Sequence, residues 1–229
     1  MLELAPRHAA GRGLRVLCLG AHCDDIEIGC GGAMLRLLAG RDDVVVRWIV
    51  FSSDEQRARE ARDSAEKFLA GAQEKDVVVQ AYRDGFFPAA WQAIKEYFEQ
   101  LKRAYQPDLI FAPYRDDLHQ DHRVVSELTW NTFRDHFILE YEIPKYDGDM
   151  GSPNLFVPLE ESLARKKVNY VVEAFKSQGA RPWFTEEVFL AALRLRGVEC
   201  NARYAEAFYS RKVKLGVDSF VSSAVKPGP

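Results

Sequence analysis

Two short polar stretches carry the residue types of a metal-assisted hydrolase. His22-Cys23-Asp24-Asp25 follows one apolar run, and His119-Gln120-Asp121-His122 follows another about a hundred residues later. A catalytic zinc commonly takes three protein ligands from His and Asp/Glu and leaves a fourth position open for water. His22, one of Asp24/Asp25 and one of His119/His122 supply a two-His, one-Asp set. His119 and His122 are spaced i, i+3 at a helix start, so both can face one way. Neighbouring residues of an extended turn point in different directions. One aspartate can therefore bind the metal while the other faces the attacking water as a base. The same donors hold Fe(II) as well as Zn(II).

The competing chemistry for such a turn is phosphate binding. A dinucleotide loop needs G-x-G-x-x-G at the first strand-to-helix turn, so that backbone amides can approach a pyrophosphate. Here that turn reads Gly20-Ala21-His22-Cys23-Asp24-Asp25, and Gly29, Gly31 and Gly32 come later. Two carboxylates stand where the anion would sit. Charge repulsion at about 4 Å is roughly 1 kcal/mol in bulk water and several-fold more in a partly buried turn. The later glycines are expected to permit close packing where the chain enters its first helix.

The elements that must position these residues follow from periodicity. Apolar, β-forming runs predict strands over 14–20, 44–53, 76–82, 107–113 and 136–144. Amphipathic spacing predicts helices over 30–40, 54–71, 88–105 and 118–133. Strand and helix thus alternate through the first 135 residues. The fold class expected is α/β, a Rossmann-like three-layer α/β/α sandwich with a mostly parallel sheet. Beyond that, residues 145–158 read as a long loop, 161–175 and 185–200 as helices, and 205–215 as a last strand. Loop and helices are expected to shape the substrate mouth. The expected organisation is a single domain over 1–229, with its core at about 14–215 and a flexible tail at 216–229. In such a sheet, ligands sit beyond the carboxyl ends of the strands. Both His/Asp stretches fall there, joined by Ser52-Ser53-Asp54-Glu55 and Arg83-Asp84-Gly85.

Composition narrows the partners. Lys and Arg (31) nearly balance Asp and Glu (34), so no basic bias points to nucleic acid or to an anionic membrane. No apolar run reaches transmembrane length, and the N-terminal residues lack the basic-then-apolar order of a secretory signal. Four cysteines without a C-x-x-C spacing fit a reducing compartment, and a cytoplasmic location is expected. A homo-oligomer is compatible with the sequence.

With these residues in place, the chain resembles the LmbE-like, or PIG-L, N-acetylglucosaminyl deacetylase family. Its A-H-P-D-D motif stands here as Ala21-His22-Cys23-Asp24-Asp25, and its H-x-D-H motif as His119-Gln120-Asp121-His122. Weaker similarities are an R-x-x-E helix at Arg57 and Glu60, an Asp-Gly loop at Asp84-Gly85, and the closing segment YAEAFYSRK. The resemblance implies a metal-dependent hydrolase, with Zn2+ or Fe2+, that removes the acetyl group from an N-acetylated sugar. It implies His22, Asp25 and His122 as metal ligands and Asp24 as general base. His119 would stabilise the oxyanion or protonate the leaving amine, with Asp121 orienting it. Arg57 and Asp84 match positions that grip sugar hydroxyls, and Tyr114 is placed near the oxyanion. Another metal-dependent amide or ester hydrolase, or a non-catalytic sugar-binding module, are the alternatives; binding alone requires neither Asp24 nor His119. Cys23 stands where the family usually has Pro, and is expected to be a small residue turned into the core rather than a fourth ligand. Asp116 and Asp117 are expected to add negative charge near the mouth. His8 and His136 receive no role.

Overall fold

A computed structural model describes residues 12–216. The elements run β1 (Leu14–Gly20), α1 (Asp25–Gly40), β2 (Val44–Ser52), α2 (Glu55–Phe68), β3 (Glu74–Tyr82), α3 (Trp91–Ala104), β4 (Leu109–Pro113), α4 (Gln120–Thr132), β5 (Phe137–Tyr141), β6 (Leu155–Leu159), α5 (Glu161–Ala174), α6 (Glu186–Glu199) and β7 (Tyr204–Tyr209). The sheet order is β3-β2-β1-β4-β5-β7-β6. The first five strands in that order are parallel, and β7 runs antiparallel to both of its neighbours.

The central strands are apolar on both faces, as a sheet covered on both sides requires. Val16 and Cys18 pack with α1, α2, α5 and α6, whereas Leu17 and Leu19 pack with α3 and α4. The three-layer arrangement expected from the sequence is therefore present. Strand order reverses between β1 and β4: β2 and β3 build outward one way, β5 and β7 the other. That crevice is where an open α/β sheet receives a ligand.

Three elements depart from the sequence expectations. The first helix starts at Asp25, not at residue 30, and runs through Gly29, Gly31 and Gly32. Low helix propensity is overruled by packing. A Cβ at Gly29 would lie 2.1 Å from the Tyr141 ring, and one at Gly31 would lie 2.6 Å from Phe68. Tyr141 in turn donates its hydroxyl to the Leu19 carbonyl at 2.7 Å, which locks β5, α1 and the end of β1 together. The segment expected as a loop over 145–158 contains the start of β6, hidden in the sequence by Pro158. At a sheet edge that proline is tolerated, since the outward face of the strand needs no donor. The last strand stops at Tyr209. Most of the expected flexible tail (residues 217–229) and His8 lie outside the described residues.

A buried ion pair fixes α1 from the far side. Glu206 on β7 accepts the N–H groups of Gly32 (2.8 Å) and Ala33 (2.6 Å), and Lys167 on α5 bonds Glu206 and the Ile28 carbonyl, each at 2.6 Å. Gly32 has no side chain to keep the carboxylate away. The placement of Asp25 at the helix start thus depends on contacts along the whole helix.

Gly29→Ala should lower stability by about 1–3 kcal/mol through overpacking. Gly40→Ala, which meets nothing within 4 Å, should raise it by roughly 0.5–1 kcal/mol through helix propensity. Urea unfolding of the two variants checks this, and an unperturbed Gly29→Ala would contradict the proposed packing role.

Candidate metal and active site

The loop after β1 is held rigidly. Gly20 has no room for a side chain, since a Cβ there would lie 2.9 Å from Ile26. Ser52 donates its N–H to the Ala21 carbonyl at 2.8 Å, and the Cys23 thiol donates back to the Ser52 carbonyl at 3.2 Å. Burial pushes that thiol up to about 12. The thiol is thus turned into the core and bonded to backbone.

Three ligand atoms converge from β1's loop and α4. His22 Nδ1 and His122 Nε2 are 3.1 Å apart. Asp25 Oδ2 lies 3.5 Å from the first and 3.3 Å from the second. Donors about 2.0–2.2 Å from a tetrahedral ion are separated by roughly 3.3–3.5 Å, so this triangle fits a small divalent cation. Other combinations come near: the rings of His22, His119 and His122, and the set His22, Asp84 and Asp121, each offer atoms within 4.8 Å of one another. In the His22–Asp25–His122 triangle every separation is 3.5 Å or less.

Each histidine of the triangle is backed by carboxylate on its other nitrogen. His22 Nε2 faces Asp84 Oδ1 at 3.1 Å and Asp121 Oδ2 at 3.3 Å. His122 Nδ1 faces Asp117 Oδ2 at 2.8 Å. Carboxylate behind the second nitrogen fixes ring orientation and tautomer, the usual support of a metal-bound histidine. Asp121 is held by the N–H groups of Gly85 (2.6 Å) and Phe87 (3.1 Å). Gly85 has φ +78°, a conformation that glycine adopts without strain.

The remaining sequence candidates divide. Arg57 on α2 reaches Asp84 at 3.1 Å and Asp24 at 3.4 Å, and its Nε–H is buried without a partner. The Asp121 carboxylate does not reach His119 as expected. It turns to His22, and it is the Asp121 backbone N–H that donates to His119 Nδ1, at 3.3 Å. That bond leaves the proton of a neutral His119 ring on Nε2. Tyr114 stands apart from the cluster. Its ring stacks on Tyr209 with centroids 3.7 Å apart, and its hydroxyl bonds Asp116. Asp54 serves as the N-cap of α2. Asp117, taken from sequence as a mouth charge, is buried against His122; the D-x-H spacing before His119 was the available signal.

The electrostatics follow from burial. Asp24, Asp25, Asp84, Asp117 and Asp121 face only Arg57 and Lys145 as permanent cations in the contacts of this cluster. Burial raises the Asp24 carboxyl, and the charge of Asp25 adds to the rise. Burial acts the same way on Asp25, but His122 and His22 outweigh it and hold Asp25 well below the usual carboxylate range. Two adjacent aspartates are thus driven apart, as an acid–base division of labour requires. Burial would lower His122, yet Asp25 and Asp117 lift it to about 9. Burial and the two neighbouring histidines lower His119 from its ordinary 6.5. The pocket stabilises positive charge between His22 and His122, which is what a divalent cation would supply.

The PIG-L family model, described as GlcNAc-PI de-N-acetylase, matches residues 17–133, just over half the chain and every aspartate and histidine of the cluster. The chain belongs to the PIG-L family. Solved structures share the fold of this PIG-L chain. The conserved protein TT1542 from Thermus thermophilus has a TM-score of 0.71 at 22% identity, over 90% of this chain and 98% of that one. The N,N'-diacetylchitobiose deacetylase from Pyrococcus horikoshii has 0.65 at 23%, over 86% and 83%. GalB, the 4-carboxy-2-hydroxymuconate hydratase from Pseudomonas putida, has 0.66 at 16%, over 89% and 98%. Because one of the three is a hydratase, fold does not by itself set the reaction. Among the described residues, no helix is long and apolar enough to cross a membrane.

In the metal-free chain, His122 holds its proton well above the ordinary 6.5. The stabilisation from that proton is complete below about 6.5 and is lost as pH rises through about 9. The melting temperature of metal-free protein should therefore fall across this interval. Titrating Zn2+ into it near neutral pH should release protons, read by calorimetry in buffers of different ionisation heat. Uptake without proton release would contradict the triangle. His122→Ala should lose bound metal by elemental analysis, and full occupancy would reject it as a ligand.

Proposed function

We propose that this protein is a metal-dependent deacetylase of N-acetylated sugars, with His22, Asp25 and His122 holding Zn2+ or Fe2+. The observation that carries the proposal is the ligand triangle, in which Asp25 is held low, with the adjacent Asp24 biased the opposite way. PIG-L family membership supports the substrate class, and a fold shared with a chitobiose deacetylase is consistent with it. A bound divalent cation would act as a Lewis acid on the amide carbonyl and acidify the attacking water.

The chain's own residues account for the rest. Asp25, kept ionised, is suited to hold the cation. Asp24, with a raised affinity for protons, takes the proton of the water as its oxygen attacks the acetyl carbon. Negative charge then develops on the carbonyl oxygen, and neutral His119 donates Nε2–H toward it. The amine must leave with an added proton, and Asp24, now protonated, supplies it. This balances the step: one water is consumed, one of its protons passes through Asp24 to the amine nitrogen, the C–N bond breaks, and acetic acid and a free amine result, which ionise to acetate and ammonium. A neutral His119 suits oxyanion stabilisation better than acid catalysis, which favours this division of roles. Arg57, with one unpartnered N–H, and Asp84 would receive sugar hydroxyls beside Asp24. Tyr114 is proposed to contact substrate only if it leaves its stack on Tyr209.

Acetate release from a panel of N-acetylhexosamine conjugates, with Zn2+ or Fe2+ added, tests the proposal. Asp24→Ala should retain metal and lose turnover by at least about 100-fold, the usual scale of general acid–base catalysis. Metal loss in that variant would mean the two aspartates have exchanged roles. Absence of acetate from every conjugate while metal is bound would overturn the deacetylase reading in favour of another water-adding or hydrolytic reaction on this fold.

A further inference from the structure

Behind His122 lies a chain of contacts that the proposed reaction does not use. Asp117 is 2% exposed. Its Oδ2 bonds His122 Nδ1 (2.8 Å) and Lys145 Nζ (2.9 Å), while Oδ1 accepts the backbone N–H of His119 at 2.8 Å. Lys145, in the loop after β5, is half-buried with its side chain 8% exposed, and it also bonds Asp149. Asp149 closes the circuit by accepting the N–H of Leu118 at 2.8 Å. One carboxylate thus touches both histidines of the second motif, one by its ring and one by its backbone. One ammonium ties that carboxylate to a loop more than twenty residues away in sequence.

A buried ion pair is by itself weak evidence for stability, because desolvation offsets attraction. Its location is the informative part. A carboxylate on Nδ1 keeps the His122 proton there and leaves the Nε2 lone pair facing Asp25 and His22. It also makes the ring more basic. Lys145 shares the same carboxylate oxygen and so restricts how Asp117 can turn.

We propose that Asp117 and Lys145 are positioning residues of the metal site, Asp117 orienting His122 and the start of α4, and Lys145 holding Asp117 from the β5–β6 loop. This rests on the reading of His122 as a metal ligand. The contacts of the two side chains lead to His122 and to the His119 backbone, so they act through those histidines.

The test is metal affinity and coordination, read without substrate. Full-length protein and its variants are titrated with Zn2+ against a chromophoric chelator, and the visible absorption of the Co2+ form is recorded. Asp117→Asn should weaken Zn2+ binding by about 10- to 100-fold, the range for lost partners of ligating histidines, and alter the Co2+ band. Lys145→Met should weaken binding several-fold in the same direction, and Lys145→Arg should recover most of it. Should Lys145→Met fail to fold, Asp149→Asn removes the outer charge alone and is expected to give a smaller loss of the same sign; wild-type affinity there would overturn the part assigned to Lys145. Asp117→Asn and Lys145→Met with wild-type affinity and spectrum, even with lower melting temperatures, would overturn the inference while leaving the metal site intact. A wild-type chain that binds no divalent cation would overturn the metal reading and this inference with it.

Discussion

Negative charge gathered at the reversal point of the sheet is the constraint around which the rest is arranged. Burying several carboxylates is costly unless cations or hydrogen bonds meet them. In this cluster the permanent cations are Arg57 and Lys145, and the deficit falls on two imidazoles that lean toward the charged form. A divalent cation between His22 and His122 would offset that deficit. The same balance separates Asp24 from Asp25, because only Asp25 lies between the two rings. The two adjacent aspartates differ by position in one field, not by chemistry of the side chain.

Holding that field in place requires rigidity beyond the loops. The start of α1 carries Asp25, and α1 is clamped by Tyr141 at Gly29 and by the Glu206–Lys167 pair at Gly32 and Ala33. α4 carries His122, and its entry is set by Asp117 and by the bond between Asp121 N–H and His119. β3 delivers Asp84 to the far side of His22, where it meets Arg57 from α2. Residues from the ends of four parallel strands therefore meet at one crevice. Catalysis by positioned groups tolerates errors of well under an ångström, which explains why so much of the buried polar bonding lies around α1 and α4.

Much of the site was legible from local spacing. The A-H-C-D-D and H-Q-D-H stretches stand at strand ends because apolar runs precede them, and their donor types admit few other uses. Cys23 was legible as a core residue, and its bond to Ser52 agrees. Less legible were groups whose partners are distant in sequence. Asp117 looked like one more solvated acid because Lys145 and His122 cannot be recognised as its neighbours from spacing. Asp121 seemed to serve the adjacent His119, whereas its carboxylate is pulled to His22 by the amides of Gly85 and Phe87. β6 was obscured by an internal proline, which an edge strand carries without losing a ladder bond, and edge position is a property of the assembled sheet.

By itself, then, the sequence determined the alternation of strand and helix, the two motifs and the donor set, since these follow from periodicity and side-chain chemistry along a local stretch. Tertiary structure alone decided which nitrogen of each histidine faces the triangle, which aspartate is raised and which is lowered, and which carboxylate backs which ring. Those outcomes depend on burial and on charges brought together across about a hundred residues, and no local pattern encodes a field that exists only once the crevice has closed around it.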